Sequence, residues 1–238
     1  MNKVLFISII ILLFTKASNA EPELIFAQIK DTPDQVVGAE ILKVVYSKIG
    51  LSIRMVDFPG KRALMESSEG RVDGEVHRIF EIGEAYPALI RVPTPINYIE
   101  PSIFSRNHNF SITNCAALKD YTIGIVRGVK HAEICTGGMK HVQVFDYSTE
   151  MIEVIDAGRI DIGITAKING LWLSKKMDMK SVNLLSPPLS RNMVYHYLHR
   201  KHKELVFKID KILVEMKESG ELEILRKKAI NKLLKDLE

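Results

Sequence analysis

Two stretches decide the fold: Gly70-Arg71-Val72-Asp73-Gly74-Glu75-Val76 and Gly158-Arg159-Ile160-Asp161-Ile162-Gly163-Ile164. They are near copies of each other. Each follows a short run with helical character, residues 62–69 before the first and 149–157 before the second, where Ser148 is the expected N-cap. Glycine suits the left-handed backbone that ends a helix, and the residues after it alternate towards a buried strand. Both copies therefore read as helix, glycine stop, strand.

The same rhythm continues outward. Residues 24–29, 52–56, 121–126 and 142–145 are short β-rich runs, and 36–49 is a helix candidate between the first two. Two half-chains that each alternate strand and helix predict two α/β lobes. The end of the chain differs. Residues 193–198 read as a strand. Residues 203–219 carry Leu205, Val206, Ile209, Ile212, Leu213 and Met216 at helical spacing. Gly220 stops that helix. A second follows over 221–237, with Leu222, Leu225, Ala229, Leu233 and Leu237 along one face and a solvated charged face opposite.

Composition narrows the class. The 238 residues are 46% hydrophobic and 26% charged, which excludes disorder, collagen-like and low-complexity chains. The net charge of +4, from 33 Lys+Arg against 29 Asp+Glu, is too balanced to argue for nucleic acid, and no basic stripe is interleaved with aromatics. At the N-terminus Lys3 precedes an apolar run over 4–14, broken only by Ser8, and Ser18-Asn19-Ala20 follows. This order predicts a signal peptide over 1–20, cleaved before Glu21, and hence a periplasmic location. The apolar run is shorter than the roughly 20 residues that span a bilayer; an uncleaved anchor is the rival reading. Export places Cys115 and Cys135 in an oxidising compartment, where a bridge is expected. Two free buried thiols are the alternative. His131 and His141 lie nearby, but no tight ligand spacing supports a metal, and no cofactor motif is present.

Gly70 to Gly74, Ala157-Gly158-Arg159-Ile160-Asp161 and Glu215-Met216-Lys217-Glu218-Ser219-Gly220-Glu221-Leu222, in that order, resemble the type II periplasmic solute-binding proteins. Within them the chain is most similar to family 3, the amino-acid-type substrate-binding domains of ABC transporters. Pro59-Gly60-Lys61-Arg62-Ala63-Leu64 and Leu89-Ile90-Arg91-Val92-Pro93 look like an uncharacterised subgroup. The resemblance implies two doubly wound α/β lobes joined by a two-crossing hinge: 21–97 plus 197–238 as lobe one and 98–196 as lobe two. It also implies capture of a small solute between the lobes for an ABC permease or a membrane sensor, by a monomer without catalysis.

Ligands of open α/β sheets bind beyond the carboxyl ends of strands. That rule selects Asp31 after the first strand and Phe58 after the second, Arg62 in the helix that follows, and Arg78 after the first repeat. In lobe two it selects Arg127-Gly128 and Tyr147-Ser148. Arg127-Gly128 precedes a helix, where a glycine backbone and an Arg fork suit a carboxylate. Arg78 is positioned to hold the same anion, or to form a structural ion pair. Glu75 sits on a buried strand and is read as paired with Arg78 or facing a ligand cation. Tyr98 and Trp172 are candidate cleft aromatics, with core or hinge packing as the alternative. The ligand is expected to be small, polar and carboxylate-bearing or amino-acid-like. Typical family members have an Asp after the second repeat that holds the ligand ammonium; here that position is Ala166. His196, His199 and His202 are spaced by three, but the first two fall on opposite faces of a strand, against a metal role. Ser102 and Ser105 lack a nucleophile elbow. The rival function is an exported dehydratase of cyclic prearomatic acids on the same fold, with Glu75 or His77 as acid or base.

Overall fold

In both repeats the glycine has positive φ, 75° at Gly70 and 67° at Gly158, and ends the helix before it. The Asp three residues later ties the repeat to the next strand. Asp73 Oδ2 accepts from the Ile25 N–H at 2.7 Å, and Asp161 Oδ2 accepts from the Thr122 N–H at 2.7 Å. Val72 and Ile160 between them are buried. The repeated signature is thus a structural joint, used once per lobe.

The computed structural model describes residues 23–111 and 114–235. The expected signal peptide, and the last residues of the expected second terminal helix, lie outside that range. The first lobe runs β1 (Leu24–Ile29), α1 (Pro33–Lys48), β2 (Ile53–Phe58), α2 (Gly60–Ser68), β3 (Gly74–Ile79), α3 (Ile82–Ala85), β4 (Leu89–Arg91) and β5 (Asn97–Ile99). The second runs β6 (Pro101–Ser105), β7 (Ile123–Val126), α4 (Lys130–Cys135), β8 (Val142–Phe145), α5 (Ser148–Asp156), β9 (Ile162–Ala166), α6 (Lys167–Lys176) and β10 (Asn183–Leu185). The chain then returns through β11 (Asn192–His199) to α7 (Lys203–Glu218) and α8 (Glu221–Lys235).

The two sheets mirror each other. The first is ordered β2-β1-β3-β11-β4, with β5 also on β11; the second is β10-β6-β9-β7-β8. In each, three parallel strands meet one antiparallel strand at the repeat: β11 on β3, and β6 on β9. Those antiparallel strands carry the two crossings. All of β11 lies in the first sheet, so the return crossing falls before Asn192, ahead of the expected boundary at 196. The reason is continuous pairing: Val194 sits opposite Ile79 and Leu198 opposite Gly74. Ser148 is the first residue of α5, and the N-cap position is Tyr147 with no side-chain cap.

Each lobe has its own core. Phe104, Ile123, Met151, Ile155 and Ile162 lie at the centre of the second. Phe26, Ile41, Tyr46, Val76, Ile209 and Leu213 build the first, with α7 and α8 packed beside α1. Cys115 and Cys135 form a disulfide in the second lobe, with the sulfurs 2.05 Å apart. Among the described residues no helix is long and apolar enough to cross a membrane.

Candidate functional site

β3 is buried along its whole length and ends at the facing edge of the first lobe. All three nitrogens of its Arg78 guanidinium donate hydrogen bonds. Nε donates to Glu75 Oε2 at 2.9 Å and Nη2 to Glu75 Oε1 at 3.2 Å. Nη2 also donates to the Gly60 carbonyl at 3.1 Å, and Nη1 crosses to the Gly128 carbonyl of the second lobe at 3.0 Å. Ser67 Oγ completes the Glu75 carboxylate at 2.9 Å. Burial raises the Glu75 carboxyl above its usual range, and Arg78 opposes that. The pair is a closed internal unit.

Close approach of backbones makes the crossing possible. A Cβ on Gly128 would lie 2.2 Å from the Lys61 nitrogen, and φ there is +81°. Only glycine satisfies both conditions. Gly128→Ala is therefore expected to hold the lobes apart. Small-angle scattering should give a larger radius of gyration than for the wild type; an unchanged radius would contradict the contact.

Beside this crossing lies a cavity of about 40 Å³ lined from both lobes and from the hinge strands. Thr32, Asp34, Gln35, His77 and Arg78 line it from the first lobe, and Val129, Lys130, His131 and Asn169 from the second. The first-lobe wall follows from the β1–α1 turn. Pro33 opens α1, where its missing N–H is no loss. The next N–H, of Asp34, donates to Asn169 Oδ1 at 2.9 Å, so the other lobe satisfies a helix-end donor. Gln35 Nε2 donates to the His77 carbonyl at 3.0 Å and lies 3.3 Å from His77 Nδ1. Those two acceptors orient the amide and assign the proton of His77 to Nε2, which donates to the Asp34 carbonyl at 3.0 Å. Burial lowers the His77 pKa, so the ring is neutral. Burial likewise pushes the Asp34 carboxyl up, while His77 opposes it.

Three polar atoms of the lining residues, each sealed from solvent, have no partner: Asp34 Oδ1, Gln35 Oε1 and His131 Nε2. Asp34 and Gln35 are 6% and 2% exposed. Burial holds His131 neutral, with its pKa lowered to about 4.

Of the residues selected from sequence, Arg78 lines this cavity, as does His77, named for the rival enzyme reading, and the other ligand-site residues fall outside its lining. Arg127 turns outward, half exposed, and its Nε donates to Asp146 at 2.9 Å. The N–H of Gly128, expected to face an anionic ligand, donates to Glu133 Oε1 at 2.6 Å, so a carboxylate of the chain itself occupies that place. Arg62 is exposed and pairs with the buried carboxylate of Glu66. Phe58 packs beside Ala63 and Val72. Asp31 takes the left-handed turn after β1, with φ 54°. Tyr147 receives the Lys30 ammonium over its ring at 5.3 Å, a contact between lobes at the cleft mouth. Ser148 is buried at the start of α5. Tyr98 lies on the hinge between the guanidinium groups of Arg191 and Arg226, at 3.6 and 3.9 Å. Trp172 donates to the Leu233 carbonyl of α8 at 3.2 Å. Ala166 is buried in an apolar cluster with Leu64, Ile79, Ile99 and Val194. His196 is buried against Tyr46 and Phe26, and among the described residues no group of three His, Cys, Asp or Glu is placed to hold a metal.

Sequence reading missed Asp34, Gln35 and Asn169. The available signal was an acidic residue and an amide directly after Pro33, just past the end of the first strand.

No family model matches the sequence. An uncharacterised protein of Shewanella oneidensis is 28% identical over 181 residues, which is 72% of this chain and 67% of that protein. Among solved structures, a histidine kinase sensor domain with similarity to periplasmic binding proteins superposes with a TM-score of 0.75 at 13% identity, covering 88% of this chain and 96% of its own. The amino acid ABC transporter substrate-binding protein AbpA of Streptococcus pneumoniae, bound to L-arginine, gives 0.73 at 14% identity, covering 89% and 95%. This is the type II periplasmic-binding-protein fold. In that fold the cavity lies where the two lobes face each other across the hinge.

Proposed function

We propose that the chain is an exported solute-binding protein that captures a small polar molecule between its lobes for a membrane transporter or sensor. One observation carries the reading: a small cavity between the lobes, lined by side chains of both, among them the buried Asp34, Gln35, His77 and Asn169. The transporter and sensor roles of the two structural neighbours support the choice of partner. The disulfide fits an oxidising compartment.

The geometry disfavours the enzyme reading. Glu75 is locked by Arg78 and Ser67 and does not line the cavity. Both ring nitrogens of His77 are held by its own wall. The anion site expected from Arg78 and Arg127 has no support either, since the first is paired with Glu75 and spends its other bonds on the Gly60 and Gly128 carbonyls, and the second faces outward.

A solute that binds only the folded state raises its melting temperature, by an amount equivalent to about 2.7 kcal/mol at a hundredfold excess over Kd. A thermal-shift screen of amino acids, amines, carboxylates, sugars and nucleosides should therefore find a stabilising class. A flat response across the screen at millimolar solute would overturn the capture reading.

A further inference from the structure

We infer a second binding site at the hinge, for a small organic oxyanion held by the guanidinium forks of Arg191 and Arg226. None of its residues lines the interlobe cavity, so it does not depend on the capture reading. The place is a groove of about 240 Å³ where the two crossings meet the turn between α7 and α8. Asn97 and Tyr98 come from β5, just before the outgoing crossing. Arg191 comes from the return crossing, and Lys217 and Arg226 from the two terminal helices.

Tyr98 holds both forks in place. Its ring lies 3.6 Å from the Arg191 guanidinium and 3.9 Å from that of Arg226. Such stacking uses the flat face of a guanidinium and leaves the N–H donors in its plane to other partners. Arg226 Nε donates to Oδ1 of the buried Asn97 at 2.9 Å, so this fork is anchored twice. Among the described residues, the remaining donors of Arg226 and those of Arg191 meet no acceptor.

Charge points the same way. Two guanidinium groups on one ring repel each other, and Lys217 adds a third cation to the lining. The carboxylate in that lining, Glu223, is paired with Lys227 at 3.8 Å. Cations nearer the cleft are answered within the chain: Arg78 by Glu75, Lys130 by Glu133 and Arg127 by Asp146. An oxyanion between the two forks supplies acceptors and countercharge together. The rest of the wall includes Ile96, Met193 and Leu222, with Met193 47% exposed. That wall suits an anion that carries hydrocarbon, and about 150 Å³ already accommodates a benzene ring. An occupant would tie the return crossing to α8.

The test is calorimetry on the oxidised mature protein with phenyl phosphate, benzoate, benzyl alcohol and benzylammonium at matched ionic strength. Both anions should bind with a Kd of about 1 mM or tighter. The alcohol lacks the charge and the ammonium has the wrong sign, so neither should bind. Arg191 is exposed, so Arg191→Gln should fold as the wild type does. It should weaken both anions by about tenfold or more, the usual range for a charge-assisted hydrogen bond. Phenyl phosphate should also slow amide hydrogen exchange at residues 96–98 and 191–193. Equal binding of the anions to wild type and Arg191→Gln would overturn the site. So would no binding of either anion, or binding of the alcohol or the ammonium as tight as that of benzoate. Protection at residues 32–35 instead would place the anion in the interlobe cavity, which overturns the hinge site and supports the capture reading.

Discussion

Arg78→Ala is expected to destabilise the protein by about 3–5 kcal/mol, the range found when one partner of a buried ion pair is removed. Arg78 is 4% exposed and Glu75 is fully buried, so the variant leaves a carboxylate with only Ser67 to hold it. The loss should be smaller at acid pH, because the stranded Glu75 can then take up a proton, and burial already favours its neutral form. Replacing both members, Glu75→Leu with Arg78→Met, should recover much of the stability, since the cost lies in the unpaired charge. The double variant still lacks the Nη1 bond to the Gly128 carbonyl. It should therefore fold while closing poorly, with a larger radius of gyration than the wild type. Urea unfolding of the single and double variants tests this. A single variant within 1 kcal/mol of wild type would show that the pair is not buried as described.

Acidification gives the second large effect. His196 is fully buried on β11. Its Nδ1 donates to the Glu75 carbonyl at 2.7 Å, and its Nε2 accepts from the Tyr46 hydroxyl at 2.8 Å. Burial, opposed by the carbonyls of Glu75 and Val76, lowers its pKa to about 4. An unfolded histidine titrates near 6.5. Between pH 6.5 and 4 the unfolded chain binds a proton that the folded chain refuses, so stability is full above pH 6.5 and falls as the pH drops towards 4. The shift corresponds to about 3 kcal/mol for His196 alone. His131, also lowered to about 4, acts in the same direction, while the raised carboxyls of Asp34 and Glu75 act against it. The contribution of His196 is therefore read as a difference. Urea midpoints between pH 7.5 and 4.5 should fall more steeply for wild type than for His196→Gln, and parallel pH profiles would contradict the assignment.

These effects arise from contacts that link distant parts of the chain, and they explain what was legible beforehand. The repeats announced the lobes, because Gly70, Gly158, Asp73 and Asp161 act within a few residues of their own helices or on the adjacent strand. Strand and helix bounds followed from local periodicity to within a few residues. The Glu75–Arg78 pair was readable as one of two alternatives, because both residues share one buried strand. The cavity was not. Asp34 meets Asn169 across 135 positions, and nothing local to either residue marks that meeting. Arg127 was misleading for the converse reason. Its setting, a glycine before a helix, is that of an anion site, yet Glu133 one turn into α4 fills it.

The most direct measurement is a crystal structure of the mature protein grown with the solute that gives the largest thermal shift. The prediction is density for that solute between the lobes, bounded by Gln35 and His77 on one side and by His131 and Asn169 on the other. Density at another place, such as the surface groove beside Tyr98 and Arg226, with the interlobe cavity holding none of the solute, would contradict capture between the lobes.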